Sequence, residues 1–548
     1  MRKKLVLAYV DSLRTDMLKQ TIGEGRAPTF SKLIKRGVLV EDCVSSFPSV
    51  TPVASAEMVT GVAADEHWIS GMNWYHRVEQ RYVEYGSSLE ASRAFGLFRS
   101  LHDLVYNMNM AHLNPGIETI FETLDDQELR TAATPFLIYR GRHRHEVTLQ
   151  GLTGRAIESG LLKFDYGTWG PKELFYGDLY ASMAVPCKPS SIPGKRDAYS
   201  ACCAAELVSR NKFDFMLLSF PDNDNYSHRH GPLESGNSIE QADICMAEVI
   251  RAAGGMDGFL TDFALILLAD HAHTDVDKPL DLIKGMEEKW QILQPSEDRP
   301  DTAELAVSPT SRAAHIYLLD ENENPVRHRR VREHAATIDG VELVCWLEHQ
   351  DGSVVVRKGP GLNGATDLVA VVERDGRQIR FHPAPAGKPA KDAGELVTDR
   401  RGNRWLISGN TEALEASVEG GKIETPDYPD ALGRLHSALH APHAGDVLIS
   451  ATLGYECVDW GGAAHVGGGS HGSLRREDSE GPLLFVNCGP KSADEREQWA
   501  LKDVVPVIRS HFEGNTFAHA LGKTSNFKGL PRKPTTLVAG SAVGGDVT

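Results

Sequence analysis

Three places in this chain carry carboxylates and imidazoles just after a short apolar run. Asp11 follows residues 5–10, and Asp270-His271 follows 263–269. After 215–219 comes Pro221-Asp222-Asn223-Asp224-Asn225-Tyr226-Ser227-His228. Such side chains ligate zinc-type cations. Singly, each has a plainer use, because an Asp after a strand is usually a turn former or a helix cap. Three on one sheet edge point to a metal site. Two further segments fit beside them. Phe47-Pro48-Ser49-Val50-Thr51-Pro52 leads into a stretch ending at Gly61. This predicts a helix with Thr51 as N-cap, Pro52 as first residue and Gly61 as stop. Thr51 is then either only a cap or a hydroxyl held where the helix dipole favours an alkoxide and an incoming phosphate. Gly467-Gly468-Gly469-Ser470-His471-Gly472 is either a flexible loop with a polar tip or backbone that approaches a site closely.

The elements that must position these residues follow from the apolar pattern. The three runs are short, lack a helical period and read as buried parallel strands; 313–319, 447–450 and 483–486 are further strands. Between them lie helical stretches. Ser238 with Gln241 resembles a capping box. Ile239, Ala242, Cys245, Met246, Val249 and Ile250 then keep a 3.6 period until Gly254-Gly255. This alternation predicts an α/β fold with a doubly wound, mostly parallel sheet. Ligands of such sheets gather at the carboxyl ends of strands, so clusters distant in sequence can converge. Residues 338–410 differ. Asp351-Gly352 lies between 341–347 and 354–356, and Asp375-Gly376 between 368–372 and 379–381; each predicts a hairpin. The expected organisation is an α/β core of 1–337 and 411–522, a β-rich insertion or cap at 338–410, and a loosely ordered tail at 523–548.

Composition narrows the class. In 548 residues, 41% are hydrophobic and 24% charged, as in ordinary globular proteins. The net charge of −17 argues against a stable nucleic-acid partner or an anionic membrane surface, but not against a small phosphate-bearing substrate. No apolar stretch approaches a membrane span, and the run after MRKK is too short for a signal peptide. The eight cysteines are scattered, so structural disulfides are not expected and a cytoplasmic, reducing compartment is the simpler assignment. Nothing specifies an oligomeric state. Among the 22 histidines, His230, His273 and His465 lie close enough to the motifs to support a site. Arg140-Gly141-Arg142-His143-Arg144-His145 is either a solvated surface loop or a clamp for an anionic substrate tail.

Together these motifs resemble the alkaline phosphatase superfamily, and most closely its type I phosphodiesterase / nucleotide pyrophosphatase branch, with phosphonoacetate hydrolase a near relative. Pro48-Ser49-Val50-Thr51 leading to Val59-Thr60-Gly61 matches the nucleophile segment. Asp224, His228 and Gly231-Pro232 match a D-x-x-x-H…G-P motif; Asp270-His271 matches D-H-G with Ala272 in place of Gly. Gly469-Ser470-His471-Gly472 matches G-x-H-G, and Asn73 matches an Asn that follows the nucleophile helix. The resemblance covers about 1–80, 205–275 and 440–515. It implies an alkaline-phosphatase-like fold and two divalent ions, zinc foremost, with manganese or iron as substitutes. Asp224, His228 and His471 would hold one ion; Asp11, Asp270, His271 and the Thr51 oxygen would hold the other. Thr51 would be a metal-activated nucleophile that forms a covalent phospho-threonine, with Asn73 and the Thr51 amide stabilising a non-bridging oxygen. Family spacing favours Asp224 over Asp222 as the ligand, leaving Asp222 either to support the ligands from behind or to cap the loop. The implied activity is that of a phosphodiesterase; the alternatives are a phosphomonoesterase, a phosphonate hydrolase, or a non-enzymatic binding protein on the same fold. A sulfatase would need C-x-P-x-R, which Thr51-Pro52-Val53 does not supply.

Overall fold

The computed structural model describes residues 2–148, 167–190, 192–296, 302–319, 325–355, 357, 359, 361–362, 365, 367–385 and 394–514. The tail expected at 523–548 lies outside the described residues. Six elements position the site: β1 (Lys4–Val10), α1 (Thr51–Thr60), β2 (Phe215–Phe220), α2 (Asp222–His230), α3 (Gly236–Ala252) and β3 (Phe263–Leu268).

β1 lies mid-sheet, parallel to β2 on one side and β3 on the other. Its side chains alternate between two cores. Leu5, Leu7 and Tyr9 join one, whereas Val6, Ala8 and Val10 join the other. A strand covered on both faces needs an unbroken apolar run, which is why no polar alternation shows in the sequence. The eight-stranded sheet continues in parallel from β2 through Thr131–Ala133 to Glu173–Tyr176 and ends antiparallel at Tyr180–Ala181. On the other side, Glu480–Val486 runs antiparallel between β3 and Val38–Val44. The molecule thus has the expected mixed α/β, alkaline-phosphatase-like architecture.

A second sheet of ten strands contains the β-rich stretch. Its order runs from the hairpin Leu305–Thr310/Ala313–Leu318 through Val447–Ala451 into Val341–His349, Leu368–Arg374 and Arg377–Pro383. Strands from 338–410 therefore share one sheet with segments on both sides of it in sequence. The Asp375-Gly376 hairpin forms as expected; both residues take positive φ, 53° and 75°, the geometry that Asp-Gly supplies to a two-residue turn. The hairpin expected at Asp351-Gly352 does not form. Val341–His349 pairs with Leu368–Arg374, and only a single bridge links Glu348 to Val354; residue 356 lies outside the described residues. The seven-residue strand offers a longer ladder and more buried surface than the three residues after the turn.

Two other expectations are corrected. α3 begins at Gly236, directly after the turn Pro232–Glu234, so Ser238 is inside the helix and caps nothing. Its hydroxyl lies 2.7 Å from Asn223 Oδ1 and 2.8 Å from the Ser235 carbonyl. Cys187 and Cys202 form a disulfide, with Cα atoms 6.3 Å apart. The return of the chain into helix Arg196–Ser209 creates that proximity, and scattered spacing gives no signal of it. The argument from unpaired cysteines to a reducing, cytoplasmic compartment therefore falls away. Among the described residues, no helix is long and apolar enough to cross a membrane.

Candidate active site

The sheet register sets the floor of the site. Val10 pairs with Phe220 and Tyr9 with Leu268, so the residues that follow β1, β2 and β3 emerge at one level. Asp11 N–H donates to the Phe220 carbonyl at 3.0 Å. Asn223 Nδ2 donates to the Asp11 carbonyl at 2.8 Å, tying α2 to the end of β1. Asp11, Asp270 and His271 come together, all buried, with one ligand atom each inside a 4.8 Å cluster.

α2 contributes Asp224 and His228, four residues apart and hence on one helical face. With His273 and His471 they form a second cluster of the same tightness. Asp224 Oδ1 lies 2.8 Å from Ser12 Oγ, 2.9 Å from His273 Nε2, 3.4 Å from His228 Nε2 and 3.8 Å from His471 Nε2. Asp222 points elsewhere. Its carboxylate accepts from the backbone N–H of Gly194, Arg196 and Asp197 and from Arg196 Nε, at 2.8–3.1 Å. Asp222 thus staples the preceding loop, and Asp224 faces the histidines.

Second-sphere bonds fix the imidazole tautomers. His228 Nδ1–H donates to the Gly469 carbonyl and His471 Nδ1–H to the Ser49 carbonyl, each at 2.8 Å. A carbonyl only accepts, so Nε2 of both rings keeps its lone pair. The glycine run is tight backbone rather than a flexible loop: a Cβ on Gly468 would overlap the His228 carbonyl. Ser49 Oγ accepts from Gly472 N–H at 3.1 Å and donates to the Ser473 carbonyl at 3.0 Å, which stitches this loop to the segment before α1.

Thr51 is the first residue of α1 rather than its cap; Val50 is the cap, and no side-chain capping bond is made. The shift arises because Pro52 occupies the second helical position. Thr51 Oγ1 lies 3.3 Å from His271 Nε2, which also lies 3.3 Å from Asp270 Oδ2 and 3.9 Å from Asp11 Oδ1. Asn73 is not drawn into either cluster. It opens the strand Asn73–His76, donates Nδ2 to the Val83 carbonyl at 2.8 Å, and buries Oδ1 without a partner.

The electrostatics favour a cation. Burial, then Asp270 and Asp224, pushes the Asp11 carboxyl well above its usual range. Burial likewise raises Asp270 to about 7, with Asp224 adding to it. Burial also works to raise Asp224, but His228, His273 and His471 outweigh it and hold that carboxyl well below the ordinary value. Burial lowers His228, His271 and His471 to about 4 each, so all three are neutral at pH 7. Asp270 Oδ2 is buried with no hydrogen-bond partner. Three adjoining carboxylates, neutral imidazoles and an orphaned carboxylate oxygen are the donor set of a divalent centre.

Ser12 and Tyr9 carried no sequence signal, whereas His230, His273 and His465 were candidates by their closeness to the motifs. Ser12 touches Asp224 and also donates its backbone N–H to Asp270 Oδ1 at 3.1 Å. His273 is fully buried and contacts Asp224, whereas Tyr9 donates its hydroxyl to Asp11. His465 stacks on His228 at 4.0 Å and is held by Glu456 at 2.9 Å. His230 is exposed and lies against Tyr226. The basic run lies largely at the surface, with Arg142 and Arg144 exposed, and His143–His145 form a short strand rather than a loop. Arg140 is buried and pairs with Glu122 at 3.2 Å, while Arg142 pairs with Glu118, Glu122 and Asp126 at 2.9, 2.9 and 2.8 Å.

The sequence profile of the type I phosphodiesterase / nucleotide pyrophosphatase family matches residues 5–395. The chain belongs to that family. Its fold is similar to murine ectonucleotide pyrophosphatase / phosphodiesterase 5, with 13% identity, a TM-score of 0.52, and coverage of 94% of this chain and 96% of that one. It is also similar to phosphonoacetate hydrolase from Sinorhizobium meliloti 1021 in complex with phosphonoformate, at 14% identity, a TM-score of 0.51 and 95% coverage of each chain. No curated protein matches it in sequence. As a member of the type I phosphodiesterase / nucleotide pyrophosphatase family the chain is an enzyme, of the phosphoric-ester hydrolase class.

Proposed function

We propose that this enzyme is a two-metal phosphodiesterase in which the Thr51 hydroxyl attacks phosphorus. One observation carries the proposal: Thr51 Oγ1 is unused as a cap and lies 3.3 Å from His271 Nε2 at the start of α1, beside buried Asp11 and Asp270. Asp11, Asp270, His271 and Thr51 would hold one ion, and Asp224, His228 and His471 the other. Carboxylate and imidazole donors suit zinc, with manganese or iron as substitutes. When bound, such ions supply a more acidic Thr51 hydroxyl and charge neutralisation at the leaving oxygen.

The chain's own residues do the rest. Ser12 and His273 fix Asp224, and the Gly469 and Ser49 carbonyls fix His228 and His471. The Thr51 backbone N–H and the second Nδ2–H of Asn73 are the proposed donors to a non-bridging oxygen, since Pro52 has no N–H and the Val53 and Ala54 amides are bonded to the Val50 carbonyl. The Thr51 oxygen–phosphorus bond forms as the bond to the leaving alcohol breaks. Water then releases the phosphate monoester and regenerates Thr51. A diester is favoured over a monoester because the nearby arginines are committed: Arg14 to Asp16 at 2.6 Å and Arg196 to Asp222 at 2.8 Å. The extra charge of a monoester wants a free cation.

The test compares Thr51→Ala and Thr51→Ser with wild type on bis(nitrophenyl) phosphate and nitrophenyl phosphate. Thr51→Ala is expected to lose at least about a thousandfold in kcat with metal content unchanged, and Thr51→Ser to keep measurable turnover. Near wild-type turnover by Thr51→Ala would remove Thr51 from the reaction, and a monoester preference would overturn the diester assignment.

A further inference from the structure

A third group of metal-ligating side chains lies outside the Thr51 centre. The hairpin Asn73–His76/Arg81–Glu84 carries His76 and, in its turn, Glu79; His112 ends the π-helix Asp103–His112. These three residues each present a ligand atom inside one 4.8 Å cluster. Strand alternation places His76 on the opposite face from Asn73.

His112 is 2% exposed. Its Nδ1 pairs with the Tyr85 hydroxyl at 2.8 Å, and its Nε2 is buried without a partner. When Nδ1–H donates to Tyr85, Nε2 is a bare lone pair oriented by a second-sphere bond, as metal-binding histidines are. Glu79 gives one oxygen to Arg81 Nε at 2.6 Å, while Oε1 lies 3.8 Å from His76 Nε2. Arg81 is itself held by both oxygens of Asp103, at 2.6 and 2.9 Å, so the nearby cation is already offset. The His443 ring lies 4.5 Å from His76 and has a buried Nδ1 without a partner. Burial lowers both His76 and His112, leaving them neutral at pH 7.

We propose that His76, Glu79 and His112 form a separate divalent-cation site, of zinc class, which clamps the hairpin to the helix ending at His112. Two imidazoles and a carboxylate leave a fourth position for water on the exposed side of Glu79, a composition zinc accepts. The Glu79 backbone N–H donates to His76 Nδ1 at 3.0 Å, which puts the ring proton on Nε2. Ligation through Nε2 therefore shifts that proton to Nδ1 and releases the Glu79 amide to solvent at the turn. The ring stays neutral throughout.

The test is zinc content after equilibrium dialysis against one buffered free-zinc concentration. Full-length wild type, Glu79→Gln, His112→Gln and Asp224→Asn are compared, with folding checked by circular dichroism. Glu79→Gln and His112→Gln are each expected to hold one equivalent fewer than wild type. Asp224→Asn is expected to keep that equivalent whatever happens at the Thr51 centre, so failure of the two proposals can be told apart. Glu79 is exposed, so its variant remains informative even where the buried His112 variant fails to fold. Equal zinc in wild type and folded Glu79→Gln overturns the site.

Discussion

Ser12 offers the sharpest check on how Asp224 is held. Its hydroxyl lies 2.8 Å from Asp224 Oδ1; Ser12 is buried and Asp224 half-buried. A hydrogen bond to a charged group is worth about 1.5–3 kcal/mol. At about 1.4 kcal/mol per factor of ten, losing it corresponds to roughly 10–100-fold. Ser12→Ala is therefore expected to weaken binding of the Asp224-side ion by that factor. At saturating zinc, kcat on a diester should stay within about threefold, because the nucleophile and ligands remain. Backbone strain is a separate effect, since Ser12 has φ 59°. Ser12→Gly removes the same hydroxyl but relieves a left-handed conformation that costs an L-residue about 1–2 kcal/mol. The two variants should lose equal zinc affinity while Gly melts higher than Ala. The assay is competition with a chromophoric chelator, alongside thermal melts. Zinc affinity within twofold of wild type in both variants would refute the reasoning and leave His273 as the group that orients Asp224.

The two aspartates at the start of α2 should separate cleanly. Asp224→Asn should lose one metal equivalent and most turnover by metal analysis and kinetics. Asp222→Ala should keep its metal but lose about 2–4 kcal/mol of stability in denaturant melts, because it strands the N–H groups of Gly194, Arg196 and Asp197. Stability should also depend on pH in a metal-sensitive way. Asp270 has its folded pKa raised from 3.8 to about 7, so the unfolded chain binds fewer protons between those values. Chelated protein should then lose stability as pH rises from about 4 to about 7, while zinc-loaded protein does not. Parallel melting curves for the two forms across that window would count against the cluster as a cation site.

The parts of the site that follow strands were legible because their signal is local. An unbroken apolar run such as 5–10 tells where a buried strand ends, and Asp11 and Asp270 each fall at such an end. Thr51 was placed within one residue, since Pro52 fits either of the first two helical positions. Asp224 was separable from Asp222 by the four-residue spacing to His228 that the family resemblance implies, which the structure turns into one helical face. What stayed hidden depends on neighbours distant in sequence. Ser12 gains meaning only through α2, and His273, a candidate by its closeness to Asp270-His271, shows its partner Asp224 only in the fold. Arg140 read as surface because its carboxylate partner, Glu122, belongs to an earlier helix. Strand partners were hidden for the same reason, as with Val341–His349, which passes over its sequence neighbour to pair with Leu368–Arg374.

The placement of Glu480–Val486 between Val38–Val44 and β3 has a consequence for how the molecule is made. The slot is bounded by segments synthesised hundreds of residues earlier, and the strand that fills it is among the last described elements to emerge. Until then the outer edge of β3 and the facing edge of Val38–Val44 have unpaired backbone groups, the kind of edge that recruits other chains. His471 lies just ahead of that strand, so closure of the sheet and completion of the His471-containing cluster fall at the same late stage. Long-range pairing of this kind is slow and exposes aggregation-prone surface while it waits. A chain cut before 471 would thus keep most of its core and fail twice, as a sticky sheet and as an incomplete centre. Chaperone dependence during synthesis and hydrolytic competence would then be governed by the same few residues.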